Sequence, residues 1–332
     1  MKKVAINGLG RIGRAIFKLV HESDELELVA VNDLVDPDNL AYLINYDTVY
    51  GRYEKKVEYS EEKIILEGKD YKLYSQKDPA NLPWKDHDID IVFDCTGVFN
   101  TRNDLEKHLE AGAKKVILSA PPKGDGIDMV VFGVNKPSGD NDIISCASCT
   151  TNCIAPVVEI LDRRLGVKKA TLTTVHAFTS TQGIVDSPNK KIRRGRAASF
   201  NFVPTSTGAT KATTKVLTQL EGKFEGSAIR GPIAVGSISD MNFVTEKKAT
   251  KEEVNDIFKE ESRSDRYRDV LAVTNEPLVS SDIIKDPRAS IVDLGMTMAI
   301  DGDLIKVMSW YDNEWGYANQ MIRTAEFIAG QA

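Results

Sequence analysis

The run Ser145-Cys146-Ala147-Ser148-Cys149-Thr150-Thr151-Asn152-Cys153 concentrates thiols and hydroxyls in a pattern suited to covalent chemistry on a carbonyl. It follows the apolar, strand-like Asp142-Ile143-Ile144 and leads into Ile154 to Leu161, which reads as a helix. Cys149 is therefore expected where a helix begins, among hydroxyl residues suited to capping. Unpaired backbone N–H groups and the positive end of the helix dipole favour a thiolate there, and the thiolate is the nucleophile. A thiol also needs a base within reach, and imidazole has a suitable pKa. His176 ends the strand-like segment Ala170 to His176, whereas His21, His87 and His108 fall in polar, surface-like contexts. Spacing alone leaves His176 open to a structural role as well.

The same thiols have a competing use. Cys146-x-x-Cys149-x-x-x-Cys153, with Cys95, could supply four thiolates to an iron–sulfur cluster. Against this, Cys149 and Cys153 stand at i and i+4 of the expected helix, Cys146 ends a strand, and no Cys-Pro or second spaced pair occurs. No metal is expected. Cys153 reads as a packing residue one turn behind Cys149, and Cys95 as a small buried residue. The loop from Ala177 to Phe202 carries Thr179, Ser180, Thr181, Lys190, Lys191, Arg193, Arg194 and Arg196. Long loops are usually functional or disordered. A solvated charged loop and a phosphate-binding surface both fit it, since Arg194, Arg230, Thr179, Thr181 and Thr207 can all donate to anions.

Stepping along the chain, Val4 to Asn7 reads as a strand, Gly8-Leu9-Gly10-Arg11-Ile12-Gly13 as a loop, and Arg14 to Val20 as a helix. This is the context that a dinucleotide-binding GxGxxG requires. Gly8 gives the tight turn, Gly10 lets a pyrophosphate approach, and Gly13 lets the helix pack on the strand. A second strand, Leu26 to Asn32, ends at Asp33, about 20 residues beyond Gly13, where a carboxylate holds the ribose hydroxyls and repels the extra phosphate of NADP. NAD is the expected cofactor. Val57 to Tyr74 alternates like inserted hairpins, and Ile89 to Asp94 and Lys115 to Ser119 flank a helix over 103–111.

Residues 1–148 thus read as an α/β, Rossmann-type, doubly wound parallel-sheet domain. Residues 149–314 read as an α+β catalytic domain with a mostly antiparallel sheet. At 332 residues, with 42% hydrophobic and 28% charged residues, the composition is that of an ordinary globular protein. A net charge of −6 argues against nucleic acid as the main partner. The glycine loop follows Met1 too closely for a signal peptide, and no apolar run reaches the roughly 18 residues that span a bilayer, so a cytoplasmic, reduced protein is expected.

Four segments carry a resemblance: Asn7 to Arg14, Ala147 to Cys153, Thr174 to Thr179, and Trp310 to Tyr317. Together they closely resemble the phosphorylating glyceraldehyde-3-phosphate dehydrogenases from end to end. The resemblance implies that Cys149 is the nucleophile and His176 its base. It implies a thiohemiacetal, then a thioester that inorganic phosphate converts to 1,3-bisphosphoglycerate. It places the substrate phosphate on Thr179, Thr181 and Arg230, and the attacking phosphate near Ser148, Thr207, Gly208 and Arg194, with Thr150 beside them. Along NAD it places Gly8, Gly10, Arg11, Ile12, Asp33, Lys77, Thr96, Gly97 and Ser119, with Asn313 orienting the carboxamide. Pro188 matches the NAD-preferring pattern. A homotetramer is implied, as is the return of the terminal helix, 315–332, to the first domain. Leu9, Lys77 and Phe178 depart from the usual residues. So does Arg230 to Ser237, which in the family usually reads Arg-Val-Pro-x-Pro-Asn-x-Ser and belongs to the inter-subunit sheet region. Erythrose-4-phosphate dehydrogenase, which releases the acid, is a close alternative.

Overall fold

The computed structural model describes residues 1–137 and 141–330. The chain forms two compact units, one of residues 1–130, 136–147 and 321–332, the other of residues 131–135 and 148–320.

The first unit runs β1 (Lys2–Asn7), α1 (Arg11–His21), β2 (Leu26–Asn32), α2 (Pro37–Asn45), the short β3 (Tyr46–Asp47) and β4 (Gly51–Arg52), then β5 (Val57–Ser60), β6 (Lys63–Leu66) and β7 (Lys69–Tyr74). It continues with β8 (Ile91–Asp94), α3 (Arg102–Glu110), β9 (Lys115–Leu118), β10 (Asp128–Met129) and β11 (Ile143–Ser145). The sheet order is β10-β11-β9-β8-β1-β2-β7-β6-β5. Pairing is parallel from β10 to β7 and antiparallel only through the β5-β6-β7 meander. Chain order reverses between β1 and β8, and the carboxyl ends beside such a switch point are where ligands bind in open α/β sheets. Thr101 and Asp104 form a reciprocal capping box that fixes the start of α3.

The second unit comprises α4 (Cys149–Leu165), β12 (Val167–Ala177), β13 (Val203–Ser206), α5 (Ala209–Val216), β14 (Phe224–Gly231), β15 (Ser237–Thr245) and α6 (Lys251–Glu261). Then follow β16 (Leu271–Thr274), β17 (Ser290–Asp293), β18 (Met298–Ile300) and β19 (Leu304–Tyr311), and the last helix, α7 (Trp315–Ala329), begins in this unit and belongs to the first from residue 321 on. The sheet order is β13-β14-β12-β15-β19-β17-β16, with β18 beside β19. Only β12–β14 and β16–β17 are parallel, which gives the mostly antiparallel sheet expected. Helix α7 ends at Ala329, short of the expected residue 332; Gln331 and Ala332 lie outside the described residues.

Helix α4 is buried along almost its whole length, with Ile154, Val157, Val158, Ile160 and Leu161 in the core beneath the sheet. Each such side chain contributes roughly 1.5–3 kcal/mol by leaving water. The far end is pinned by Glu159, which accepts hydrogen bonds from Tyr267 Oη at 2.7 Å, Arg266 Nη1 at 2.9 Å and Arg163 Nε at 3.0 Å. Burial alone would raise the Glu159 pKa, but these bonds and the arginine charges hold it below the ordinary carboxylate value. Its stabilisation is therefore present above the unfolded pKa and lost as pH falls through the folded one. Replacing Glu159 by Ala leaves the buried Tyr267 hydroxyl without its acceptor, while Arg163 and Arg266 remain open to water, and should cost about 1–3 kcal/mol near neutral pH. The denaturation midpoints of the two proteins should converge as the solution is acidified below the ordinary glutamate pKa; a constant gap would show that the carboxylate charge contributes nothing.

One expectation fails in the first unit. His108 is not in a polar surface context but fully buried, against Asp94 and Trp84. It shares a face of α3 with Leu105, three residues earlier, and that i, i+3 spacing was the available signal.

Candidate active site

Cys149 is the first residue of α4, and Ser148 is its N-cap, accepting the Thr151 N–H at 3.2 Å. The turn from β11 into α4 passes through Ala147 at φ +54°, a left-handed conformation that a residue with a Cβ adopts at a cost of about 1–2 kcal/mol. From β12, His176 reaches across to place Nε2 3.4 Å from Cys149 Sγ. Its Nδ1 lies 2.7 Å from the Ala177 carbonyl oxygen, while Arg230 Nη1 lies 2.5 Å from the same nitrogen and 2.8 Å from the same oxygen. Arg230 can only donate, so its N–H and a proton on Nδ1 compete for one acceptor. Strands β12 and β14 are paired with His176 opposite Arg230, and this register brings the two together.

The electrostatics oppose one another. Burial pushes the Cys149 thiol above its ordinary pKa, and the Arg230 charge with N–H groups at the helix start offsets only part of this. The pull of the helix end is present as expected, but burial outweighs it. Burial, then Arg230, push the His176 imidazole well below its ordinary value. Tyr311 stands edge-on to His176 with ring centroids 5.9 Å apart, and its hydroxyl bridges Thr150 Oγ1 and Thr174 Oγ1, each at 2.9 Å.

The anion-binding candidates lie in the same unit. Arg194 donates from Nε to Thr205 Oγ1 at 3.0 Å, and burial followed by the Arg230 charge lowers its pKa, so the two guanidiniums feel one another. Thr179 and Thr181 are joined hydroxyl to hydroxyl at 2.9 Å. Thr207 Oγ1 accepts the Ala209 N–H at the start of α5, and Gly208 faces open space. Thr150, expected among the anion ligands, is buried with its hydroxyl on Tyr311 and so backs the Cys149–His176 pair instead.

In the first unit a cavity of about 440 Å³ opens at the carboxyl ends of β1, β2 and β8, lined by Gly8, Gly10, Asp33, Lys77 and Thr96 among others. A Cβ at Gly8, whose φ is +91°, would lie 2.8 Å from the Thr96 backbone, and one at Gly13 would lie 1.9 Å from the Gly8 carbonyl oxygen. At Gly10 a Cβ would meet nothing within 4 Å, leaving the backbone open to a ligand at the start of α1. Asp33 accepts the Leu9 N–H at 2.6 Å and the Val35 N–H at 3.0 Å, which holds its carboxylate at the cavity. These features fit a dinucleotide. Gly97 also faces open space, Thr96 donates its hydroxyl to Asp94 at 2.8 Å, and Ser119 lies beyond β9 beside Cys95, which is only partly buried and itself lines the cavity. The Arg11 side chain is paired with Asp47 and lies over the Tyr50 ring, so only its backbone and that of Ile12 are presented at the helix start.

Residues 2–102 match the family model for the NAD binding domain of glyceraldehyde 3-phosphate dehydrogenase, and residues 148–313 match that for its C-terminal domain. Glyceraldehyde-3-phosphate dehydrogenase of Thermotoga maritima is 46% identical over 332 residues, covering 99% of both chains. Glyceraldehyde-3-phosphate dehydrogenase 2 of Streptomyces avermitilis is 44% identical over 333 residues, again covering 99% of both. The enzyme of that name from Haloarcula vallismortis is 44% identical over 330 residues, covering 98% of both. The chain belongs to the glyceraldehyde-3-phosphate dehydrogenase family. With membership come NAD as cofactor and the oxidation of glyceraldehyde 3-phosphate, a step of glycolysis. Among the described residues, no helix is long and apolar enough to cross a membrane, and no group of three His, Cys, Asp or Glu is arranged to hold a metal ion. Cys153 points away from Cys149 toward Ser290 Oγ and the Ser309 carbonyl, and burial pushes its thiol up to about 12.

The segment that departs most from the dehydrogenase pattern turns out to border the site. Gly236 N–H and the Ser237 hydroxyl donate to Asn313 Oδ1 at 3.2 and 2.9 Å, and Ser237 Oγ accepts the Ala177 N–H at 3.1 Å. Asn313 is thereby fixed with its Nδ2 as the outward donor, and the same serine steadies the strand end that carries His176. Tyr311 and Ser237 were not singled out from sequence, because their roles depend on strand register. Gly236 has φ +93°, and a Cβ there would lie 2.2 Å from the Ser280 carbonyl oxygen, whereas at Gly231 a Cβ would make only ordinary contacts at 3.7 Å or more. Gly236→Ala should cost roughly 1–3 kcal/mol, while Gly231→Ala should be neutral or stabilising by up to about 1 kcal/mol. Paired denaturant titrations check this, and equal midpoints would mean that the segment relaxes freely.

Proposed function

We propose that the protein is a phosphorylating glyceraldehyde-3-phosphate dehydrogenase that works through covalent catalysis at Cys149, with residues 1–148 and the terminal helix as its NAD-binding domain and 149–314 as its catalytic domain. The observation that carries this reading is the 3.4 Å contact between Cys149 Sγ at the start of α4 and His176 Nε2, beside Arg230. Gly8, Gly10, Asp33, Lys77, Thr96, Gly97 and Ser119 hold NAD, together with the backbone of Arg11 and Ile12, and Asn313 holds the carboxamide. The Asp33 carboxylate disfavours NADP.

The substrate phosphate pairs with Arg230, Thr179 and Thr181. An anion there draws the guanidinium away from His176, leaves the Ala177 carbonyl to Nδ1–H, and turns the Nε2 lone pair toward the thiol. It also offsets the charge that depresses the imidazole pKa. Sγ then bonds to the aldehyde carbon as its proton moves to Nε2. The resulting oxyanion is held by the Cys149 N–H and the imidazolium. Bound NAD supplies the hydride acceptor that takes this adduct to the thioester. Inorganic phosphate, held by Arg194, Ser148, Thr207 and Gly208, attacks the thioester carbon; the C–S bond breaks, 1,3-bisphosphoglycerate leaves, and the thiolate recovers its proton.

A cytoplasmic homotetramer is the expected working form, and the exposed Ile192, Phe200 and Phe202 of the 177–202 loop suit subunit contact. NAD reduction should require both glyceraldehyde 3-phosphate and inorganic phosphate. It should fall by about 10²–10⁴ in His176→Asn and below detection in Cys149→Ser. Turnover indifferent to phosphate would instead indicate an acid-releasing dehydrogenase of the erythrose-4-phosphate type.

A further inference from the structure

The buried histidine that the catalytic scheme leaves unused terminates a lateral chain of side-chain hydrogen bonds under the nucleotide cavity. Trp84 donates its indole N–H to His108 Nδ1 at 3.0 Å, so that nitrogen is an acceptor and the proton of the neutral ring sits on Nε2. Nε2–H faces Asp94 Oδ2 at 3.2 Å, and Asn7 Nδ2 donates to the same oxygen at 2.9 Å. The other Asp94 oxygen accepts the Thr96 hydroxyl at 2.8 Å and its N–H at 3.2 Å. Asn32 Nδ2 donates to Asn7 Oδ1 at 2.7 Å, and Asn32 in turn exchanges hydrogen bonds with the Gln76 backbone at 2.8 and 2.9 Å. Asp94, Asn7 and Asn32 end β8, β1 and β2, and Gln76 follows β7; these four strands are consecutive neighbours in the sheet. The glycine loop, Asp33, Lys77 and Thr96 all emerge from these ends.

We propose that His108 is a positioning residue for NAD. Without touching the cofactor, it anchors Asp94 and so fixes the spacing of the strand ends that form the cavity floor. Because Nδ1 accepts from Trp84, Nε2 is the nitrogen that donates to Asp94, and the chain keeps one polarity. The inference rests on the assignment of this cavity as the NAD site.

Full-length His108→Leu should bind NAD about 10-fold more weakly, measured as Kd by quenching of intrinsic tryptophan fluorescence. The KM for NAD should rise in parallel, with kcat and the KM for glyceraldehyde 3-phosphate within about 2-fold of wild type. His108→Gln, which can still donate to Asp94, should recover most of the affinity. Leu105→Ala, which empties the core one turn away on the same helix, should lower the denaturation midpoint while leaving the Kd within about 2-fold. If His108→Leu does not fold, Trp84→Phe removes the indole donor alone and should weaken NAD about 3-fold. A wild-type Kd in the folded variant, or a Leu105→Ala variant as weakened as His108→Leu, overturns the inference. Asp33→Ala serves as the control: wild-type NAD affinity there would overturn the cavity assignment, and the role of His108 with it. A weakened Asp33→Ala beside an unaffected His108→Leu would overturn only the role of His108.

Discussion

The placement of a partly buried thiol at the start of a core helix is the constraint around which the second unit is built. A sulfur at the end of a core helix is rigidly placed, but the same burial resists its ionisation. Everything close to Cys149 bears on that conflict. The helix start offers N–H groups, Arg230 offers charge, and His176 stands with Nε2 3.4 Å from the sulfur. None of these could be effective on a mobile loop, because a contact of this kind loses its value within about an ångström.

The arginine beside the histidine gives this arrangement a second character. Arg230 favours the thiolate and disfavours the imidazolium, so its two effects on proton transfer between them oppose one another. An anionic substrate is the natural balance. In the proposed scheme, specificity for a phosphorylated aldehyde and activation of the nucleophile share one physical origin, the neutralisation of a single part-buried guanidinium.

The first unit solves a different problem, the alignment of loops from separate strands around an extended ligand. Backbone pairing fixes neighbouring strands, but the loops begin where that pairing ends. The chain from His108 to Gln76 continues the lateral connections one residue beyond it, through side chains. Buried polar groups in such a chain are costly unless each is paired, and here the carboxylate, both asparagines and both ring nitrogens all have partners.

Local signals along the chain specify the elements and the chemistry they could carry. Periodicity located the strands and helices, the glycine spacing marked the nucleotide loop, and a cysteine at a strand-to-helix junction identified the nucleophile candidate. These signals are local, set by neighbours within a turn or two of helix or strand. The rest of the site depends on register between segments far apart in the chain. Pairing of β12 with β14 put Arg230 against His176, and packing of α3 turned His108 inward to Asp94. The same folding brought Ser237 to Asn313 and Tyr311 to Thr150. A histidine flanked by charged residues reads as exposed, because the sequence shows its neighbours along the chain and not those across the fold.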